Sequence, residues 1–330
     1  MHGWIVIDKP VGPGSTQVVS AVKRALREGG YPKVKVGHGG TLDPLASGVL
    51  PVALGEATKL AGRMLDADKV YEFTIRFGEE TSTLDAEGEV VARSNVRPTF
   101  AEVEAVLERF TGPIEQVPPA YSALKVGGKR AYDLARAGEA VELKSRNVTI
   151  YSLLPGTGRG TMRSMVEGSA ASVQGSLRSR PHHRTSCGPP PRSGEEIDSV
   201  TLTARVSKGT YIRSLARDIA YAVETVGSVT MLRRTKAGPF TLERAISLDN
   251  LAASAKARSL EQALLPLAAG LDDIPALPVT PDQARLLRQG QRLIGIAGNQ
   301  GLHLATEGSV PVALVELSEG ELRVVRGFNL

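Results

Sequence analysis

The segment 155–197, PGTGRGTMRSMVEGSAASVQGSLRSRPHHRTSCGPPPRSGEEI, places the strongest constraint on how this 330-residue chain can fold. It is rich in Gly, Ser, Arg and Pro, and neither a helical nor a strand period runs through it. Strand-like runs flank it at 146–154 and 198–206. Because a structureless loop of this length does not fit inside a compact core, we interpret the segment as a disordered surface insertion.

Length and composition exclude several classes of protein. At roughly 150 residues per domain, the chain predicts about two domains. The lone cysteine, Cys187, argues against a disulfide framework and against a cysteine-rich zinc site. No apolar run approaches a membrane span, and the start MHGWIVIDKP lacks the features of a signal peptide. These observations predict a cytoplasmic protein with no membrane association.

The net charge of +5 is weak evidence for a nucleic-acid partner, because much of it lies in one place. The insertion alone holds six arginines and three glutamates, a net charge of +3.

The insertion also contains His182, His183 and Cys187, which could bind a metal, but a fourth ligand is missing, and surface histidines are the simpler interpretation. We therefore expect neither a metal nor a cofactor. The P-loop, GxGxxG, HExxH and GxSxG motifs are absent.

Periodicity predicts a mixture of strands and helices. Strands are expected at 3–8, 71–77, 146–154, 198–206 and 229–234, with a hairpin at 311–317 and 321–326. Helices are expected at 16–28 with Ser15 as the N-cap, after the Thr99/Glu102 capping box, from Thr210, at 281–289, and in part of 44–65.

The segment 36–51, VGHGGTLDPLASGVLP, is the most unusual for its chemistry. Its glycines allow close approach of the backbone to a ligand, and His38 lies among them. Asp43 before Pro44 is typical of a helix start, with Asp43 as the N-cap. Asp43 is equally a candidate nucleophile, since an ionised carboxylate at a helix amino terminus is stabilised. The residues alone leave both interpretations open.

The segment 207–218, SKGTYIRSLARD, carries Arg213 and Arg217 one helical turn apart. They are either a solvated basic face or, for Arg213, the planar partner of a buried carboxylate or phosphate.

Tyr71 either fills the core from its strand or stacks on a base. The segment 116–136 interleaves aromatic, basic and glycine residues, which suits a loop that grips folded RNA, although a solvated loop has the same composition.

Taken together, these segments resemble the TruB family of tRNA pseudouridine synthases from bacteria. The matching blocks occur in the family's order and span nearly all of 1–250 apart from the insertion: IDKP (7–10), GHGGTLDPLASGVLPVALGEATKL (37–60), KVYEFTIRFG (69–78), QVPPAYSALK (116–125), SKGTYIRSLARD (207–218) and MLRRTKAGPF (231–240). The resemblance implies an α+β pseudouridine synthase fold, with a mixed, mostly antiparallel sheet flanked by helices. It implies isomerisation of the uridine at position 55 in the T-loop of tRNA.

The resemblance also implies roles for particular residues. Asp43 matches the family's essential aspartate, and Arg213 matches the arginine that pairs with it. Tyr71 matches the tyrosine that stacks on the target base, with Tyr211 beside Arg213. His38 matches the histidine that fills space vacated in the T-loop. Lys9 and Leu232 match positions that line the pocket.

The domains expected are a catalytic domain over 1–268, which contains the insertion, and a small β-rich, PUA-like RNA-binding domain over 276–330. The partner expected is the T-arm of tRNA, with no obligatory protein partner, and the chain is expected to be a monomer. Three alternatives stay open at this point: a tRNA-folding chaperone without catalysis, a pseudouridine synthase for another RNA, and a glycosidase. The glycosidase lacks a clear second carboxylate beside Asp43.

Overall fold

The computed structural model describes residues 1–122, 124–137, 143–156 and 194–330. The helices are α1 Ser15–Glu28, α2 Ala61–Asp66, α3 Phe100–Leu107, α4 Ala131–Arg136, α5 Ile212–Ala222, α6 Leu248–Lys256 and α7 Pro281–Arg288. The strands are β1 Gly3–Lys9, β2 Val36–His38, β3 Ala46–Leu54, β4 Lys69–Phe77, β5 Glu79–Thr81, β6 Val90–Arg93, β7 Gly112–Gln116, β8 Lys125–Val126, β9 Lys129–Arg130, β10 Arg146–Pro155, β11 Ser199–Val206, β12 Gly227–Ala237, β13 Phe240–Thr241, β14 Ala245–Ile246, β15 Ala276–Pro278, β16 Leu293–Ile294, β17 Gly301–Glu307, β18 Val310–Ser318 and β19 Glu321–Gly327. Most of the insertion, with His182, His183 and Cys187, lies outside the described residues.

The chain divides into two compact units. Unit 1 contains Met1–Val70 and Arg233–Leu330, and unit 2 contains Tyr71–Leu232. The predicted boundary between domains at 1–268 and 276–330 rests on the proline- and glycine-rich stretch at 266–281, and it stays a prediction.

The sheet of unit 1 is built around β1. Along its whole length β1 pairs antiparallel with β3, from Gly3 opposite Leu54 to Lys9 opposite Gly48, and it pairs parallel with β14. The end of β3 also pairs with β2, with His38 opposite Val52. Nearly every residue of β1 and β3 is buried, which explains their continuous apolar runs. The register brings Lys9 to the end of the sheet where β3 begins, just after Asp43.

The carboxyl-terminal part of unit 1 is a small β-rich module. Its five strands follow the order β15-β17-β18-β19-β16, and α7 packs against them. Ala284 and Leu287 of α7 lie in a core of their own with the buried side chains of β18. A second core joins Trp4 of β1 to Leu314 and Phe328 of the module. The predicted helix and hairpin of this region are confirmed.

Unit 2 has a separate hydrophobic core. Strand β10 pairs antiparallel with both β7 and β11, and α3 and α5 contribute to the same core. The buried positions of α5, Ile212, Leu215, Ala216 and Ile219, are the ones that helical spacing predicts. Thr99 and Glu102 form the predicted capping box of α3. The mixed, mostly antiparallel sheet with flanking helices agrees with the expected fold class.

The predicted N-cap of α1 is wrong, and α5 begins two residues after its predicted start at Thr210. Gly14, whose backbone N–H donates to the Gln17 side chain at 2.7 Å, occupies the N-cap position of α1, and Ser15 is already helical. Tyr211 occupies that position in α5, while the Thr210 hydroxyl donates to the Ser207 carbonyl at 3.0 Å. Within the described residues, no helix is long and apolar enough to cross a membrane. The same residues contain no cluster of His, Cys, Asp and Glu suited to a metal ion.

Candidate active site

Asp43 lies in the loop 39–45 between β2 and β3, which we call the Asp43 loop. The residue is half-buried, and its backbone carbonyl accepts a hydrogen bond from the Ala46 N–H at 3.1 Å. No helix begins at Pro44, so the helix-start interpretation of Asp43 is wrong. The segment 44–65 is helical in part, as predicted, because α2 begins at Ala61, but its residues 46–54 are not helical. These residues form β3 instead, because β1 and β2 supply ladder partners that local sequence does not reveal.

Buried polar side chains hold the Asp43 loop by its backbone. The Ser15 hydroxyl donates to the Leu42 carbonyl at 3.0 Å and accepts from the Leu42 N–H at 2.8 Å. The Lys9 ammonium, which is fully buried, donates to the Pro44 carbonyl at 3.2 Å and to the Pro10 carbonyl at 2.9 Å. A buried cation needs such acceptors, since leaving it unsolvated is costly.

Arg234 on β12 reaches the same loop. Its side chain is 1% exposed, and its two terminal nitrogens donate to the carbonyls of Gly40 and Thr41 at 3.3 and 3.2 Å. Its Nε donates to the Val49 carbonyl on β3 at 2.8 Å. One guanidinium therefore connects the Asp43 loop to the strand that follows it.

Gly48 permits the close approach of β3 to β12. Its φ is +100°, and a Cβ atom there would lie 2.2 Å from the Arg234 carbonyl oxygen. Only glycine fits this position without moving backbone. Gly48 is thus a requirement of the sheet.

His38 ends β2 beside this loop. Burial, and secondly the positive charge of Arg234, hold the pKa of His38 below its usual value of 6.5, although a hydrogen bond with the Gly40 backbone opposes them. The side chain is accordingly neutral at pH 7. A neutral imidazole is suited to packing among bases without attracting phosphate.

Arg213 lies in the first turn of α5 in unit 2 and is buried rather than solvated, so the interpretation as an exposed basic face is wrong for this residue. Its guanidinium lies 3.1 Å from the Asp85 carboxylate, and both side chains are 7% exposed. It also donates to the carbonyls of Thr83 at 2.8 Å and Tyr121 at 3.0 Å. Pairing with a buried carboxylate is one of the two roles that the planar guanidinium of Arg213 predicted. Its predicted pairing with Asp43 stays a prediction.

Tyr211 immediately precedes α5 and is fixed by Gln116 of β7. The Tyr211 N–H donates to the Gln116 side-chain oxygen at 2.8 Å, and the Tyr211 carbonyl accepts from its nitrogen at 3.1 Å. The guanidinium of Arg146 stacks over the Tyr211 ring at 4.6 Å from its centroid. The start of α5, where Tyr211 and Arg213 lie, is therefore rigidly positioned.

Tyr71 of β4 and Leu232 of β12 both lie at the edge of the unit 2 core. Each side chain is only partly buried and packs against fully buried neighbours. This placement supports a tyrosine ring on one side while leaving part of it exposed, which is compatible with both a packing role and a stacking role.

Two residues that hold the site, Asp85 and Arg234, had no predicted role. Asp85 lies in a turn, where its carboxylate also accepts from the Thr83 hydroxyl at 2.5 Å and from the Glu87 N–H at 3.0 Å. The turn-forming run LDAEG (84–88) was a signal for a side chain that bonds nearby backbone. The adjacent arginines of MLRRT (231–235) stand out in the sequence, but no local signal shows what Arg234 bonds, because its acceptors lie more than 180 residues away.

Comparison with known proteins places the chain in a family. A family profile described as TruB family pseudouridylate synthase (N terminal domain) matches residues 25–159, and one described as tRNA pseudouridylate synthase B C-terminal domain matches residues 213–272. A tRNA pseudouridine synthase B from Novosphingobium aromaticivorans is 58% identical over 100% of this chain and 98% of its own length. The chain belongs to the TruB family of pseudouridylate synthases. This confirms the resemblance seen in the sequence.

Other relatives agree with this membership. Proteins named tRNA pseudouridine synthase B from Zymomonas mobilis and Rhodospirillum rubrum are 56% and 44% identical over 100% of this chain, covering 96% and 97% of their own lengths. A structure of an H/ACA RNP bound to a substrate RNA containing 2'-deoxyuridine matches with a TM-score of 0.66 at 22% identity, over 99% of this chain and 85% of the other. A Cbf5-Nop10-Gar1 complex matches with a TM-score of 0.66 at 24% identity, over 99% and 84%. These structural likenesses confirm the expected fold.

Proposed function

We propose that this protein isomerises the uridine at position 55 in the T-loop of tRNA to pseudouridine, with Asp43 as the essential carboxylate. The observation that carries the proposal is the identity of 58% over the full chain with a tRNA pseudouridine synthase B. The geometry supports it, because buried side chains fix the loop on which Asp43 lies. Catalysis requires such a preorganised group.

The reaction suits the residue types. The bond from C1′ of the ribose to N1 of the uracil breaks, the base turns, and a bond from C1′ to C5 forms. The proton on C5 leaves and N1 gains a proton, so the product is an isomer of the substrate and no redox step occurs. The Asp43 carboxylate either attacks C1′ directly or takes part in breaking the glycosidic bond and moving the proton.

The target uridine has to leave the T-loop before it reacts, at a cost of a few kcal/mol. Stacking on the Tyr71 ring offsets part of that cost, since a base–aromatic stack contributes about 1–3 kcal/mol. His38, neutral at pH 7, fills the space that the base vacates. Lys9 and Leu232 line the pocket.

Arg213 pairs with Asp43 and keeps its carboxylate ionised during the reaction. Support for this role comes from the contacts of Arg213 in unit 2, where Asp85 and two backbone carbonyls hold the guanidinium in one orientation. A guanidinium fixed in this way can stabilise a second carboxylate without having to reorient.

The remaining assignments follow from the same proposal. Residues 1–268 form the catalytic domain, and the PUA-like domain at 276–330 binds RNA beside it. The enzyme acts on tRNA in the cytoplasm as a monomer, without an obligatory protein partner and without a metal or cofactor. Size-exclusion chromatography with light scattering tests the monomer, for which the mass is 34.9 kDa.

The deciding experiment measures tritium release from an unmodified tRNA transcript labelled at C5 of uridine. We expect release approaching one equivalent per tRNA with the wild-type protein. Asp43→Asn is expected to abolish release while leaving tRNA binding within about twofold, because the amide keeps the shape of the side chain but cannot act as a nucleophile or base. Near-normal release by Asp43→Asn would refute the role of Asp43. Tight binding without release by the wild type would favour the chaperone.

A further inference from the structure

We propose that Arg234 and Ser15 are positioning residues that together hold the Asp43 loop in the place that catalysis needs. We call this pair the loop clamp. The inference rests on the proposed function of Asp43. It concerns two side chains that do not belong to the predicted site, one from β12 and one from α1.

The clamp grips the loop at three consecutive residues just before Asp43. Arg234 donates to the carbonyls of Gly40 and Thr41, and Ser15 bonds both the carbonyl and the N–H of Leu42. Side chains therefore fix the carbonyls of Gly40, Thr41 and Leu42, whereas the Gly39 N–H at the start of the loop donates to the Pro51 carbonyl of β3 at 2.8 Å. Loops held in this way keep one conformation only while these bonds exist.

Both residues of the clamp are buried. Arg234 is 1% exposed and Ser15 is 3% exposed. The Arg234 Nε is bonded to the Val49 carbonyl in the interior of β3, so the guanidinium cannot shift without breaking the bond to the sheet. These bonds consequently fix the position of the loop relative to β3 and α1.

Only an arginine can make the Arg234 contacts. Its guanidinium presents several N–H groups in a fixed plane, and here three nitrogens reach three carbonyls on two different segments. A lysine carries the same charge but has a single nitrogen. Arg234→Lys therefore tests the geometry of the clamp while the positive charge remains.

The chain offers a matched control for each clamp residue. Arg233 precedes Arg234 on β12, is partly exposed, and bonds the Asp8 carboxylate at 2.8 Å and the Ser47 hydroxyl at 3.4 Å, neither of which belongs to the Asp43 loop. Ser20 lies on α1 like Ser15, but it is exposed and its hydroxyl donates to the Thr16 carbonyl within the helix. Arg233→Lys and Ser20→Ala thus change the same chemistry elsewhere.

The experiment measures single-turnover tritium release at saturating tRNA, together with the tRNA Kd, for all four variants. A displacement of about 1 Å at a reacting group can cost on the order of 100-fold in rate, so we expect Arg234→Lys to lose roughly 30- to 100-fold. Ser15→Ala is expected to lose about tenfold. The Kd should stay within about twofold of the wild type in both variants, because the clamp acts on the chemical step. Both controls should keep the wild-type rate.

The outcomes separate the clamp from the proposed function. Wild-type tritium release by both Arg234→Lys and Ser15→Ala would overturn the clamp and leave the proposed function standing. Equal losses of rate and of tRNA affinity would also overturn it, since they indicate a general structural role. If Arg234→Lys does not fold, the tritium release of Ser15→Ala alone tests the clamp. Absence of release from the wild-type protein would refute the proposed function instead.

Discussion

Replacing Asp85 by asparagine should destabilise unit 2 strongly, because Asp85 neutralises a buried cation. The Asp85 carboxylate lies 3.1 Å from the Arg213 guanidinium, and both side chains are 7% exposed. Removing one partner of a buried pair typically costs about 3–5 kcal/mol. Arg213 keeps its bonds to the Thr83 and Tyr121 carbonyls, so we expect the lower end, about 3 kcal/mol.

Thermal unfolding followed by far-UV circular dichroism measures this loss. At roughly 2–4 °C per kcal/mol for a unit of this size, the Tm should fall by about 6–12 °C. Tryptophan fluorescence is the wrong probe, because the only tryptophan of the chain, Trp4, is buried in unit 1. A loss confined to unit 2 is visible in the dichroism of its strands.

The matched control is Asp198→Asn in the same unit. Asp198 lies 3.0 Å from Arg97, a similar separation, but the two side chains are 38% and 24% exposed. Water already solvates such a pair, so the variant should lose no more than about 1 kcal/mol. Equal Tm shifts for Asp85→Asn and Asp198→Asn would refute the reasoning from burial.

Three further predictions concern other parts of the molecule. Tyr71→Phe should retain more tritium-release activity than Tyr71→Ala if stacking dominates, whereas equal losses would indicate that the hydroxyl matters. His38 has a pKa below 6.5 in the folded protein, so its contribution to stability is complete above pH 6.5 and declines as the pH falls below that value. The wild-type Tm should therefore fall more steeply than that of His38→Asn between pH 7 and pH 5, and parallel curves would contradict this. Replacing residues 157–193 by a flexible Gly/Ser linker should leave activity intact, because the flanking strands β10 and β11 pair with each other directly, with Pro155 opposite Leu202; a large rise in tRNA Kd would instead identify a basic arm that binds RNA.

Local patterns were sufficient for elements whose stabilising groups lie close together in the chain. The capping box of Thr99 and Glu102 starts α3 as predicted, since both partners lie within one turn. The hairpin of β18 and β19 is predicted by its turn at Ser318–Gly320 and its flanking apolar runs. The family, too, was recognisable from motifs in a constant order, and the comparisons confirm it.

The same local rules failed where a distant partner competes for a polar group. Ser15 has the chemistry of an N-cap, but its hydroxyl bonds Leu42, and the N-cap position passes to Gly14. Asp43-Pro44 has the pattern of a helix start, yet β3 follows because β1 and β2 satisfy its backbone. In both cases a long-range bond outweighs a preference of roughly 1 kcal/mol.

The amino-acid sequence was therefore sufficient to identify the family and the fold class, and it predicts which residues carry the proposed chemistry. Tertiary structure alone decided how those residues are held: Arg213 by Asp85, across 128 positions, and the Asp43 loop by Arg234, across more than 190. The physical reason is burial. A buried charge has to find acceptors, and in this fold the acceptors are supplied by segments that only the folded chain brings into contact.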